Sequence, residues 1–286
     1  MPSEATFNRG AHPMAAGHFS LAHLTVLGCA PPEMTHIAAQ SGYDYVSFRP
    51  IYMGLPGEPN YALADNQPML SQTKAALAET GIKLLDIELA RIYDGLDPKR
   101  YLPAMEVAAE LGGRHVLSSV WTPERNFAIE CFAELCDLAR PFGLTVDLEF
   151  VTFSDLKNLR DALELLRAAR RENCGIMIDT LHFSRSRVRL DELDAVPREW
   201  FHFAHVCDAP EEIPATREGL IHTAREARLY AGEGAIDIAA VLNRIPEVPY
   251  SIELPNLARV KELGYAEHAR RCLQSAKDYL SSHPRD

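Results

Sequence analysis

From Phe19 onward, short apolar runs alternate with stretches of helical spacing. The runs Phe19–Leu24, Tyr45–Phe48, Lys83–Leu89, His115–Val120, Thr145–Phe150, Ile176–Asp179, Phe201–Cys207 and Tyr250–Leu254 have the length of strands. Between them the pattern predicts helices over Pro31–Ser41, Met69–Thr80, Leu102–Leu111, Pro123–Phe142 and Leu156–Arg171. A short helix near Leu190–Leu193, another over Ile236–Ile245 and a closing helix over Tyr265–Ser281 follow. Pro31-Pro32 suits a first helical turn, and Gly42, Gly81 and Gly143 stand where left-handed caps end helices.

Strict alternation of strand and helix implies a parallel sheet. Eight such units in 286 residues favour an α/β fold closed as a single-domain (β/α)8 TIM barrel over an open sheet. No GxGxxG follows the first strand, which counts against a dinucleotide-binding sheet. Residues 1–17 read as an irregular lead and 18–286 as the barrel. The stretch 208–234 is too long for a bare loop and reads as a lid.

A 47% hydrophobic and 24% charged composition fits a globular core. The net charge of −11 disfavours a nucleic-acid partner. No apolar run approaches the roughly 20 residues of a membrane span, and no apolar leader opens the chain. The six cysteines show no CxxC pair, so reduced thiols in a cytoplasmic protein are expected.

Four successive strand candidates end on residues that can bind a metal: Thr145-Val-Asp-Leu-Glu149, Gly175-Ile-Met-Ile-Asp179, Phe201-His-Phe-Ala-His205 and Tyr250-Ser-Ile-Glu253. Singly, each has a plainer role. A strand-end carboxylate often caps a loop, Asp179 could cap the next turn, and His205, two residues after His202, could be a core imidazole. Jointly, in a barrel whose active site sits at the strands' C-terminal ends, they form an oxygen-rich site for one divalent cation. Mn²⁺ is expected first, with Mg²⁺, Co²⁺ or Zn²⁺ as alternatives. Glu88 is read as the end of the third strand, facing the same mouth and the substrate. Trp121 is either a wall of that mouth or core.

The order and spacing of Asp147-Leu-Glu-Phe150, Ile178-Asp-Thr-Leu-His182, His205-Val-Cys-Asp208, Gly232-Glu-Gly-Ala-Ile-Asp237 and Ser251-Ile-Glu253 resemble the xylose isomerase-like TIM-barrel superfamily of sugar-phosphate isomerases and epimerases. The resemblance runs from Phe19 to Leu280. It implies that Glu149, Asp179, His205 and Glu253 hold the metal and that His182 contacts substrate. It also implies a substrate-binding arginine at Arg228, four residues before Gly232, although Arg217, Arg225 and His222 lie nearby. Glu149 and Glu253 would be the catalytic acid and base of an isomerase or epimerase. The substrate would be a small keto sugar or cyclic polyol ketone, passing through an enediolate.

A lyase of the same superfamily shares the first half of that chemistry, whether dehydrating an inosose or dehydroshikimate or cleaving a 3-keto-C-glycoside. Val151 stands where some dehydratases carry a histidine, which weakens the dehydroshikimate version. An endonuclease IV-like protein would need more histidines for three zinc ions. A non-catalytic binding barrel would have lost a ligand, and none is missing here. No phosphate-cradling loop is evident, which favours an unphosphorylated substrate. A homo-oligomer is compatible with the pattern, and no membrane partner is expected.

Overall fold

The computed structural model describes residues 17–54 and 58–285. The irregular lead expected over 1–17 lies outside the described residues, apart from Gly17. Eight parallel strands close in chain order: β1 Phe19–Ala22, β2 Tyr45–Phe48, β3 Lys83–Tyr93, β4 His115–Trp121, β5 Thr145–Glu149, β6 Cys174–Asp179, β7 Ala204–Val206 and β8 Tyr250–Ile252. β8 pairs back onto β1, so no strand edge is left open. The barrel is wrapped by α1 Pro31–Ser41, α2 Gln67–Thr80, α3 Leu102–Glu110, α4 Arg125–Ala139, α5 Leu159–Ala169, α6 Thr180–Arg185, α7 Arg217–Glu226, α8 Ile238–Arg244 and α9 Leu257–Ser282.

Side chains alternate between strand faces, so residues two apart share one. On β5, Val146 and Leu148 join the main apolar core, while Asp147 and Glu149 share the opposite face. That period carries polar groups into the barrel. Ser20 Oγ lies 2.9 Å from Ser47 Oγ, and Ser47 also donates to the buried Asp86 carboxylate. Tyr45, Leu85, Leu117, Met177 and Phe203 pack as a separate small cluster.

Several elements differ from the sequence expectation; α7 is a helix within the stretch read as a lid, and α9 begins at Leu257 rather than Tyr265. β3 runs on to Tyr93, because pairing with β4 resumes at Ala90–Ser118 after a register shift. Glu88 therefore lies inside the strand rather than at its end. A helix, α6, starts directly after β6, ahead of the expected short helix near Leu190, where Leu190–Ala195 is a 3-10 helix. Asp179 caps α6 by accepting the Leu181 N–H at 2.6 Å and the His182 N–H at 3.3 Å. β7 has three residues rather than the seven of Phe201–Cys207.

Near the strands' N-terminal ends, Asp147 is fully buried and accepts from Thr145 Oγ1 at 2.6 Å, with His202 Nδ1 at 2.7 Å. Burial alone would raise this carboxyl, but the charges and hydrogen bonds of His202, His115 and Thr145 outweigh it and hold it below its usual range. Gly175 makes room for the pair. A Cβ there would stand 2.2 Å from Asp147 Oδ1 and 2.5 Å from His202 Nδ1. Gly175→Ala should therefore cost about 1–3 kcal/mol through overpacking, read as a lower urea midpoint. An unchanged midpoint would mean that the pair is free to move aside.

Candidate functional site

Parallel strands bring their C-terminal ends to one mouth, and there the four expected ligands meet. One ligand atom from each of Glu149, Asp179, His205 and Glu253 lies within 4.8 Å of those of the other three. All four residues are buried. His205 Nδ1 is 3.3 Å from Glu253 Oε2 and 4.0 Å from Asp179 Oδ2, yet neither ring nitrogen makes a hydrogen bond among the described residues. Buried imidazole nitrogens without partners are costly. A cation among three carboxylates and this ring would take up one ring nitrogen, Nδ1 being the one that faces Glu253 and Asp179, and the crowded negative charge, so the donor set fits a divalent ion.

The charges in the cluster are strongly coupled. Burial, then the charges of Glu253 and Asp179, push the Glu149 carboxyl well up. Burial would raise Glu253 too, but Arg228 and His205 outweigh it and hold Glu253 well below its usual range. His205 is pushed up to about 10, since Glu253 and its neighbouring carboxylates overcome the effect of burial.

Arg228 is 2% exposed and is fixed in place by backbone. Its N–H donates to the Pro255 carbonyl at 3.1 Å, and Asn256 Nδ2 donates to its carbonyl at 2.9 Å. The guanidinium lies 2.7 Å from both Asp179 Oδ2 and Glu253 Oε2, and Nε donates to the Ala224 carbonyl at 2.9 Å. It also lines the cavity above the cluster, together with His182, Glu149 and Glu253. His182 sits on α6 with Nδ1 3.2 Å from Thr152 Oγ1, and burial pushes its ring down to about 4. It is therefore a neutral imidazole at the cavity wall. Trp121 lines the same cavity.

Glu88 is 1% exposed and is not among the cavity-lining residues. Its carboxylate lies 3.9 Å from His205 Nε2 and 3.6 Å from Arg49 Nη1, and burial raises it to about 8. Arg49, 7% exposed beyond the end of β2, was not legible as a site residue. The motif from Gly232 to Asp237 has a structural role. Asp208 accepts the N–H groups of Gly232, Gly234 and Ile236 at 2.9–3.0 Å, and any Cβ at Gly234 would fall 2.2 Å from the Ala209 carbonyl.

Fold and site together define a TIM barrel with a carboxylate–histidine cluster at the mouth formed by the C-terminal ends of its strands. The family model described as xylose isomerase-like TIM barrel matches residues 36–276, and the chain belongs to that family. An inosose isomerase of Bacillus velezensis is 24% identical over 259 residues, covering 85% of this chain and 88% of that protein. Among solved structures, the IolI protein with a bound zinc atom aligns with a TM-score of 0.78 at 21% identity, over 93% of this chain and 99% of that one. A D-allulose 3-epimerase from Methylomonas sp. aligns with a TM-score of 0.67 at 17% identity, over 94% of this chain and 100% of that one. Among the described residues, no helix is long and apolar enough to cross a membrane.

Proposed function

We propose that this chain is a divalent-metal-dependent isomerase or epimerase that enolises a polyhydroxylated ketone of the inosose or keto-sugar class. The observation that carries the reading is the convergence of Glu149, Asp179, His205 and Glu253, with both ring nitrogens of His205 buried among carboxylates and without a hydrogen bond among the described residues. The inosose isomerases among its sequence relatives, the allulose epimerase and the zinc-bound IolI structure agree with it.

A divalent cation held by these four residues would act as a Lewis acid on the substrate's carbonyl oxygen, making the neighbouring C–H acidic. Glu253, held ionised by Arg228, is suited to take that proton. Glu149, the second carboxylate lining the same cavity, is placed to return a proton. Two carboxylates lining one cavity can divide base and acid roles between them. Return to the opposite face of the same carbon gives an epimer, and return to the neighbouring carbon gives an isomer. Loss of a β-hydroxyl from the same enediolate would make the enzyme a dehydratase, and product spectra with inososes separate these outcomes. The 208–234 segment, which contains α7, supplies Arg228 to the site and is proposed as the cover that excludes water.

Chelated and reloaded protein should hold one divalent ion per chain, and elemental analysis that finds none after reloading would sink the reading. In His182→Ala, kcat/KM should fall by at least about 100-fold while the metal content stays unchanged. Loss of the metal instead would make His182 a ligand.

A further inference from the structure

The cavity above the metal cluster has an acidic floor and a basic side. Glu149 and Glu253 line it together with Arg49, Arg91, Arg225 and Arg228. Arg228 is neutralised by Asp179 and Glu253. The other three are poorly matched. Arg49 makes one ion pair, 3.6 Å from Glu88, and its buried Nε has no hydrogen-bond partner among the described residues. Arg91 on β3 also has a buried Nε without a partner, and its guanidinium lies over the Trp121 ring, 4.2 Å from the centroid. Trp121 is in turn held by its Nε1–H, which donates to Ser119 Oγ at 2.8 Å. Arg225 on α7 sits 5.9 Å from the Phe153 ring centroid.

Among the described residues, no ion pair joins Arg91 or Arg225 to a carboxylate. Glu58, whose charge reaches both, is tied to the Met53 N–H at 3.2 Å. Burial holds both arginines below their usual range, and for Arg225 the charges of Arg91, Arg49 and Arg217 add to it. Gathering like charges on one half-buried wall is unfavourable unless an anion neutralises them. A guanidinium held over an aromatic ring can still offer its N–H fork to a carboxylate or phosphate.

We propose that Arg91 and Arg225, backed by Arg49, form an anion-binding wall, and that the natural substrate is a polyhydroxylated ketone bearing a carboxylate or phosphate group. The inference rests on the site reading above and narrows its substrate class. It runs against the unphosphorylated preference drawn from the sequence, because the wall is built of side chains from β3, α7 and the end of β2 rather than from a glycine-rich loop.

The test is calorimetric titration of the metal-loaded full chain, at constant ionic strength, with glucuronate, glucose 6-phosphate and neutral myo-inositol. At least one anion should bind about tenfold or more tighter than myo-inositol, as expected for hydrogen bonds to charged groups. The tighter of the two anions identifies carboxylate or phosphate as the partner. Arg91→Gln and Arg225→Gln should each cut the anion-to-neutral ratio by about tenfold, and the charge-retaining Arg91→Lys should cut it less. Equal binding of neutral and anionic probes, no binding of either anion, or a ratio unmoved in both Gln variants overturns the inference. Binding is read without turnover, so proton exchange into a neutral inosose would leave the enolisation reading intact while this one failed.

Discussion

Glu149→Gln should give a barrel that is at least as stable as the parent without metal and yet turns over about 1000-fold or more slowly. The two effects share a cause. Glu149 is buried beside Glu253 and Asp179, and its folded-state pKa is raised. A carboxyl with a raised folded pKa favours the native state below its unfolded value near 4.3 and opposes it as pH rises toward the folded value. At neutral pH, without a cation, Glu149 therefore costs stability, and glutamine removes that cost while keeping the shape. Glutamine can neither hold nor return the proton, so the chemistry stops. Thermal unfolding in chelator and steady-state kinetics with added cation read the two halves. Retained turnover would remove Glu149 from the acid–base pair, and a large loss of stability in chelator would contradict its charge crowding.

Arg228→Met should have the opposite signature. The guanidinium lies 2.7 Å from carboxylates of both Asp179 and Glu253 in a buried setting. Removing it leaves two buried anions without their partner, a loss of about 3–5 kcal/mol in chelated protein. A divalent cation that binds only the native state should restore part of this through mass action. Urea unfolding with and without the cation reads both. If the chelated variant is as stable as the parent, Arg228 does not compensate the cluster's charge, and the four acidic and imidazole groups are balanced in some other way.

The four donor positions could be read from the sequence because each ends an apolar run, and parallel strands in a barrel must end at one mouth. Glu88 was placed at the wrong depth for a related reason. The apolar run weakens after Leu89, but pairing with β4 carries β3 four residues further, and strand pairing is a tertiary property. The helix α6 is not legible in the sequence because six residues carry too little periodicity, although its cap, Asp179, stands out by its carboxylate at a strand end. Arg49 and Arg91 gave no local signal at all. Their meaning comes from Glu88 and Trp121, side chains that only the folded barrel brings against them. The Asp147–His202 pair spans 55 residues and has no sequence signal either, because β5 and the segment leading into β7 meet only through the closed barrel, across β6.

Proton NMR in D₂O, with inososes, ketoses and 3-keto-glycosides as substrates, tests metal-assisted enolisation most directly. Protein stripped with EDTA should leave the hydrogen next to the carbonyl untouched. The same protein reloaded with a divalent cation should exchange it for deuterium, with an epimer or isomer accumulating. Exchange that survives EDTA, or no exchange with any of these ketones in protein shown to hold its metal, would contradict the assignment.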